Sequence, residues 1–294
     1  MTAGDPRGAG REPAAGALRI TVLVEDRAGH AGLRAEKGLS LLVEDGRCKV
    51  LFDTGRSDAF LHNAAAMGIS LRDLSHVVLS HGHHDHAGGL GFLMRHLAGL
   101  GPGARPVLLA HPDSFLERGL YLRFLGRARR LRNLGAPAGA AAAPGFFRTE
   151  LRAEPRWLDE RLVYLGEIPR PPDAGSTVFG SIRRHGRLAR DEIRDDTALV
   201  HVGERGLVVM TGCSHSGLVP ILDHARTVTG EARVLAVVGG LHLRSASRRT
   251  VDRVAGHLRD IGVSHVHGCH CTGRAGARLP NQSCIATGTV MEFR

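Results

Sequence analysis

The sequence predicts a mixed α/β fold, and the order of its elements suits two β-sheets packed face to face with helices outside. Short apolar runs rich in β-branched residues, which are typical of strands, alternate along the chain with longer segments of helical periodicity. Both halves of the chain also repeat one order of features: strands, then a histidine-containing turn at a strand exit, then a helix. This order favours a cleft at one edge of the sheets, where strand ends from both halves meet.

The elements of the first half follow from apolar patterning and turn signals. Residues 18–25 alternate and are β-branched, and an Asp-Gly turn joins the next two strands. The segment 121–160 is basic and then rich in alanine, glycine and proline, so we interpret it as an insertion that covers the cleft. The predicted strands cover 18–25, 39–44, 49–52, 77–79 and 106–110, and the predicted helices cover 58–67 and 91–100.

The second half continues with strands and helices of similar length. We expect residues 1–17 to form a disordered tail and residues 18–294 to form a single domain. The predicted strands cover 161–165, 195–200, 206–210, 234–238, 263–267 and 287–292, and the predicted helices cover 218–228 and 248–261.

One short loop after the strand 77–79 carries four side chains of ligand type. They are His81, His83, Asp85 and His86. Neutral imidazole and carboxylate groups are ligands that Zn²⁺, Mn²⁺ and Fe²⁺ accept, and residues two apart in an extended turn can reach one ion. The spacing points His84 away from its neighbours. The alternative interpretation is a histidine-rich surface loop that binds no metal.

The pattern His-x-His-x-Asp-His after a strand resembles the signature of the metallo-β-lactamase-fold hydrolases. The resemblance spans residues 19–294 through LFDTG, SHGHHDHAGG, LGEIPR, DDTALV, TGCSHSG, GGLHL and GCHCTG. This combination is similar to the metal-dependent hydrolases of β-lactamase superfamily II. Archaeal relatives in that branch are named for 7,8-dihydropterin-6-yl-methyl-4-(β-D-ribofuranosyl)aminobenzene 5′-phosphate synthase. The resemblance implies a four-layer αββα sandwich.

The resemblance also implies two sets of metal ligands. The first ion is expected to bind His81, His83 and His215. The second ion is expected to bind Asp85, His86 and His270. Asp53, which closes the strand 49–52, corresponds to a carboxylate that supports the metal loop by hydrogen bonds rather than binding the ion. The alternative for Asp53 is an ordinary Asx turn.

One position departs from the family pattern. Many members have a bridging aspartate after the strand 234–238, whereas this chain has Gly239-Gly240. Three interpretations stay open: His242 substitutes for the aspartate, the two ions lack a carboxylate bridge, or only one ion binds tightly. His242 can also act as a proton donor or as a contact for a substrate phosphate.

These residues predict a metal-dependent hydrolase that acts on a small, anionic ester or phosphate-containing substrate. Bound Zn²⁺, with Mn²⁺ and Fe²⁺ as alternatives, would lower the pKa of its water toward ~7. Asp85 and His242 are candidate catalytic residues, and Arg170 and Arg244 are candidate substrate contacts. The alternatives are a pterin-linked transferase or synthase and a metal-containing binding or redox protein.

Composition and charge disfavour several other classes of protein function. The net charge is +10, but the arginines are dispersed and aromatic residues make up only 4%, so we expect no nucleic-acid partner. No run approaches the ~18 apolar residues of a membrane span. The five cysteines lack a framework pattern and no signal peptide is evident, which indicates reduced thiols in a cytoplasmic protein. The alternative for Cys269-His270-Cys271 is half of a structural zinc site, for which the sequence offers no second Cys-x-x-Cys or Cys-x-His partner. These features disfavour a class B β-lactamase, and a homodimer stays open.

Overall fold

Strands and helices follow one another along the chain in nearly the order that the apolar runs predict. The structure is a computed structural model that describes residues 17–99, 101, 105–124, 127–137, 145–170 and 177–294. The predicted N-terminal tail lies outside the described residues apart from Ala17, which is buried. None of the helices in these ranges combines the length and the apolar character that a membrane span needs.

Short strands make up most of the framework. The first nine described strands are β1 (Leu18–Val24), β2 (Ser40–Glu44), β3 (Lys49–Phe52), β4 (His76–Val78), β5 (Val107–Ala110), β6 (Arg118–Phe124), β7 (Arg127–Asn133), β8 (Arg148–Leu151) and β9 (Arg156–Trp157). They are followed by β10 (Leu162–Tyr164), β11 (Ser181–Arg184), β12 (Arg187–Arg190), β13 (Ala198–Gly203), β14 (Gly206–Thr211), β15 (Val234–Gly240), β16 (His265–Cys269) and β17 (Val290–Phe293).

The helices lie between these strands. They are α1 (Ala59–Ala66), α2 (His84–Ala87), α3 (Leu90–His96), α4 (Leu218–Thr229) and α5 (Arg248–Asp260). The sequence predicts all of them except α2, which it assigns to a loop. That prediction was wrong because Ala87 N–H donates to His83 O at 2.9 Å and Gly88 N–H donates to His84 O at 2.8 Å, which closes one helical turn.

Two sheets place their parallel strands toward the same edge of the molecule. The first sheet has the order β17-β1-β2-β3-β4-β5-β8, and the second has the order β16-β15-β14-β13-β10-β9. Strands β3, β4 and β5 run parallel in the first sheet, and β14, β15 and β16 run parallel in the second. The carboxyl ends of each parallel group therefore lie at one edge, where loops carry functional side chains.

Alternation along the strands produces three apolar layers. Leu41 and Val43 of β2 point between the two sheets together with Leu199 of β13. Leu42 points outward against α1 and α3, whereas Val200 points outward against α4 and α5. The layer order is helix, sheet, sheet, helix, so the predicted αββα sandwich is confirmed.

A third sheet, which the sequence analysis does not predict, has the order β12-β11-β6-β7. Its strand β7 reads RARRLRN, so no apolar run marks it as a strand. The segment directly after β7 contacts the candidate metal loop through the backbone. His84 N–H donates to Leu134 O at 2.9 Å, and His83 forms an isolated bridge with Gly135. The predicted insertion, 121–160, contributes strands to all three sheets. Its boundaries stay a prediction, and residues 138–144 lie outside the described ranges.

Candidate metal centre

Histidines from distant parts of the chain meet at the shared edge of the two sheets. His81 and His83 follow β4, and His215 follows β14. One ligand atom from each of the three lies within 4.8 Å of the other two, and all three side chains are buried. The convergence that a shared ion requires is therefore present, and the assignment of these residues as ligands stays a prediction.

A second group of ligand-type side chains lies beside the first. Asp85, His86 and His270 each offer one atom, and these atoms lie within 4.8 Å of one another. The ring centroids of His81 and His86 are 4.3 Å apart, so the two groups are neighbours. The two ligand sets implied by the resemblance thus correspond to two adjacent clusters.

The first group has the chemical state that a divalent cation needs. Both ring nitrogens of His215 and Nε2 of His83 are buried and have no hydrogen-bond partner among the described residues. Nε2 of His81 faces Nδ1 of His83 at 3.0 Å. Burial, reinforced by neighbouring imidazoles, lowers the pKa of His81 and His215 well below the ordinary value. Neutral rings with unpaired inward nitrogens fit a metal ion.

Asp53 supports the metal loop from the end of β3. Its Oδ1 accepts a hydrogen bond from Ser80 N–H at 2.8 Å, and its Oδ2 accepts from Ser80 Oγ at 2.7 Å. The same Oδ2 lies 2.7 Å from Nδ1 of His86, which leaves Nε2 of that ring facing the site. Burial alone would lower the pKa of His86, but the charge and hydrogen bond of Asp53 raise it to about 9.

Sequence reasoning missed two further supporting carboxylates, which are adjacent in the chain. Asp195 accepts from Gly82 N–H at 2.7 Å and pairs with the fully buried Arg118 at 3.0 Å. Asp196 accepts from Ser216 N–H at 2.8 Å and from Ser216 Oγ. One carboxylate therefore holds the turn of His81 and His83, and the other holds the turn of His215. The sequence feature that could have indicated these two carboxylates is a pair of acidic residues directly before an apolar strand.

His270 has its own carboxylate partner. Its Nδ1 lies 2.7 Å from Asp26 Oδ1, and Arg244 donates to the other oxygen of Asp26 at 2.9 Å. Burial would raise the pKa of Asp26, but His270 and Arg244 lower it to about 2. Arg244 also lines the cavity beside the histidines. Its predicted role as a substrate contact stays a prediction.

Arg170 lines a separate hollow that includes Glu167 and Arg194, and it is not among the residues that line the cavity of the histidines. Its guanidinium group donates to the carbonyl oxygens of Glu192 and Ile193. After burial and the neighbouring imidazoles, its charge also contributes to lowering the pKa of His215. The role of Arg170 as a substrate contact stays a prediction.

His242 and two cysteines complete the centre. The ring centroids of His242 and His215 are 4.5 Å apart. Cys213 Sγ lies 3.2 Å from His86 Nε2, and Cys271 Sγ accepts a hydrogen bond from His242 N–H at 3.2 Å. The sequence analysis places His242 at the site but includes neither cysteine. The catalytic roles of His242 and Asp85 stay predictions.

The cavity over these residues has a volume of about 610 Å³. Lys37, Arg56 and Arg132 contribute to its rim; all three are exposed, and none has an ion-pair partner in the described ranges. Leu134 and Phe179 give the wall an apolar part. The cavity therefore combines positive charge, an apolar wall and the two histidine clusters.

Comparisons with known proteins agree with this geometry. The family model of the metallo-β-lactamase superfamily matches residues 33–227, more than half of the chain. Two proteins of Methanocaldococcus jannaschii are similar over most of their length. Uncharacterized protein MJ0448 is 26% identical over 256 residues, which cover 86% of this chain and 90% of that protein. A 7,8-dihydropterin-6-methyl-4-(beta-D-ribofuranosyl)-aminobenzene-5'-phosphate synthase is 28% identical over 267 residues, which cover 87% and 88%.

Two solved structures are also similar to this chain. The crystal structure of Tm1679, a metal-dependent hydrolase of the β-lactamase superfamily, has a TM-score of 0.78 and 30% identity, and the match covers 94% of this chain and 99% of that one. The metallo-β-lactamase fold protein YhfI of Bacillus subtilis has a TM-score of 0.56 at 13% identity, which is evidence for the fold alone. The resemblance inferred from the sequence motifs is therefore confirmed.

Substitution Asp53→Asn should weaken metal binding while the fold persists. The amide has a single acceptor oxygen, so it cannot replace both Oδ1, which accepts from Ser80 N–H, and Oδ2, which accepts from Ser80 Oγ and faces His86 Nδ1. Either the metal loop or the ring of His86 therefore loses its support. We expect zinc affinity to fall by roughly 10–100-fold, the usual cost of losing a carboxylate that holds a metal ligand. A competition titration with a chromogenic chelator measures this change. Asp73→Asn, an exposed partner of Lys49, is the control, and equal affinities of both variants would contradict the assignment.

Substitution Asp195→Asn should destabilise the metal-free protein. It leaves the buried Arg118 guanidinium without its nearest carboxylate, which lies at 3.0 Å, although Asp191 stays at 3.5 Å. We expect the free energy of unfolding to fall by roughly 3 kcal/mol, as is typical when one partner of a buried pair is removed. Urea denaturation followed by circular dichroism gives the value. A loss no larger than that of Asp73→Asn, about 1 kcal/mol or less, would show that the pair does not stabilise the fold.

Proposed function

Because the chain belongs to the metallo-β-lactamase superfamily, we propose that it is a metal-dependent hydrolase acting on a small anionic substrate. The observation that carries the proposal is the meeting of two adjacent clusters of ligand-type side chains at one cavity. Similarity to Tm1679, a metal-dependent hydrolase of the β-lactamase superfamily, supports this reaction class. The clusters are His81, His83 and His215, and Asp85, His86 and His270.

The residues around the clusters have distinct tasks in this proposal. A bound divalent cation supplies Lewis acidity and a water of lowered pKa. Asp85 has a half-buried carboxylate 3.6 Å from His270 Nε2, so it can accept a hydrogen bond from the attacking water and orient it. His242 lines the cavity beside His215 and can give a proton to the leaving group. Leu134 and Phe179 exclude water from one wall.

The rim of the cavity supports an anionic substrate. Burial lowers the pKa of His84 most, the charges of Arg56 and Arg132 lower it further, and Asp85 and Glu36 act against them. Together with Lys37, these arginines give the rim three positive side chains that form no ion pair among the described residues. Such a rim attracts a phosphate or carboxylate group while the apolar wall takes an uncharged part of the molecule. A cavity of about 610 Å³ suits a metabolite-sized substrate.

A pterin-linked synthase is the second candidate. The observation that favours it is 28% identity to a dihydropterin phosphate synthase over 87% of this chain. Phe179, whose ring centroid lies 6.0 Å from that of His83, offers an aromatic surface beside the cluster. A dihydropterin that raises the melting temperature of the wild-type protein but not of Phe179→Ala would favour this function over simple ester hydrolysis.

Activity should depend on bound metal. Protein purified without a histidine tag should contain at least one transition metal ion per chain by inductively coupled plasma mass spectrometry. Chelation should abolish turnover in a panel of chromogenic phosphate esters and carboxylic esters, and zinc should restore it. His215→Ala should reduce turnover more than about 100-fold, because losing a residue that only supports a ligand already costs about 10–100-fold. The exposed His30→Ala is the control. Full activity in protein without metal would refute the proposal.

Removing rim charges should raise KM for anionic substrates and leave kcat nearly unchanged. Arg56→Ala or Arg132→Ala should each raise KM about 5-fold, since an exposed ion pair contributes about 1 kcal/mol. A neutral ester should show no such change. Arg205→Ala, in the exposed turn between β13 and β14, removes the same charge at the opposite end of the sheet. If that control raises KM as much, the rim does not recognise the substrate.

A further inference from the structure

Sulfur atoms line the part of the centre next to the end of β15. A Cβ atom added at Gly240 would lie 2.7 Å from Cys271 Sγ and 3.3 Å from Cys213 Cα. Any side chain at this position would therefore collide with the cysteines. Gly240 therefore leaves space for Cys213 and Cys271. Because Gly240 has no side chain, metal ligands at this place can come from the neighbouring turns that carry the two cysteines.

The thiol of Cys213 lies between the two clusters. Its Sγ is 3.2 Å from His86 Nε2, and the side chain is 4% exposed. It forms three ligand-type groups in which all atoms lie within 4.8 Å of one another. Their other members are His81 with His86, His215 with His242, and His270 with Cys271. One sulfur is thus within reach of residues from both clusters, as His86 is.

The two thiols lie close to each other as well as to the imidazoles. Cys213, Cys271 and His270 each offer one atom within 4.8 Å of the other two. A metal ion removes the proton of a coordinating thiol outright, so it would convert both groups to thiolates.

We propose that Cys213 would act as a sulfur ligand of the metal centre, among the imidazoles of both clusters, and that Cys271 would act as a second sulfur ligand beside His270. This inference rests on the proposed function, and it adds two sulfur atoms to the predicted metal ligands. Binding releases the thiol protons to solvent. Soft sulfur ligands favour Zn²⁺ over Mn²⁺, so this ligand set also discriminates among the ions that the histidines alone would accept.

Cobalt substitution tests the proposal in the full chain. Co²⁺ bound to thiolate gives an intense sulfur-to-metal charge-transfer absorption in the near ultraviolet, which nitrogen and oxygen ligands do not give. We expect this band in the cobalt-loaded wild-type protein, a reduced band in Cys213→Ser and in Cys271→Ser, and its loss in the double variant. Cys48→Ser and Cys284→Ser remove thiols outside the ligand-type groups named above and should keep the full band.

A second measurement needs no variant. X-ray absorption at the zinc edge of the wild-type protein should show a sulfur scatterer at about 2.3 Å in addition to nitrogen and oxygen at about 2.0–2.2 Å. Cobalt or zinc that binds with only nitrogen and oxygen neighbours would overturn the sulfur ligation and leave the metal-dependent hydrolase intact. A Cys213–Cys271 disulfide in metal-loaded protein would overturn it as well. Failure to bind either ion would overturn the proposed centre itself.

Discussion

The convergence of buried imidazoles from both sheets is the interaction that organises this edge of the molecule. Among the described residues, Nε2 of His83 and both ring nitrogens of His215 have no hydrogen-bond partner, and burial lowers the pKa of both rings. Buried polar atoms without a partner cost free energy, so a fold that keeps several of them in one place needs a compensating interaction. In the proposed function, a shared cation would satisfy these nitrogens together.

The carboxylates behind the rings make this arrangement possible. Asp53, Asp195 and Asp26 each hold a different segment of the centre, and each is tied to a separate part of the fold. Hydrogen bonds from outside the cavity therefore orient the rings of His86 and His270, whereas Asp195 fixes the backbone between His81 and His83. This arrangement leaves Arg56 and Arg132 at the rim of the cavity. In the proposed function, metal binding and substrate recognition thus depend on different residues.

Apolar patterning predicts the two central sheets because a continuous apolar run, such as Leu41-Leu42-Val43 in β2, must bury both faces of its strand. The third sheet escapes this reasoning, since a strand such as β7 is rich in arginine and packs mainly through its backbone pairing. The motif of His81 and His83 is visible in sequence because its members are neighbours. The roles of Asp195 and Cys271 at the site are not visible in this way. Their partners, Gly82 and Cys213, lie 113 and 58 residues away in the chain, and only folding brings them together.

The most direct test of the account is a crystal structure of the protein grown with zinc, with diffraction data collected on both sides of the zinc absorption edge. The account predicts anomalous density enclosed by His81, His83 and His215, with a second maximum beside His270. Zinc density that avoids these side chains, or its absence from a crystal of active protein, would contradict the central claim that the converging imidazoles form a metal centre.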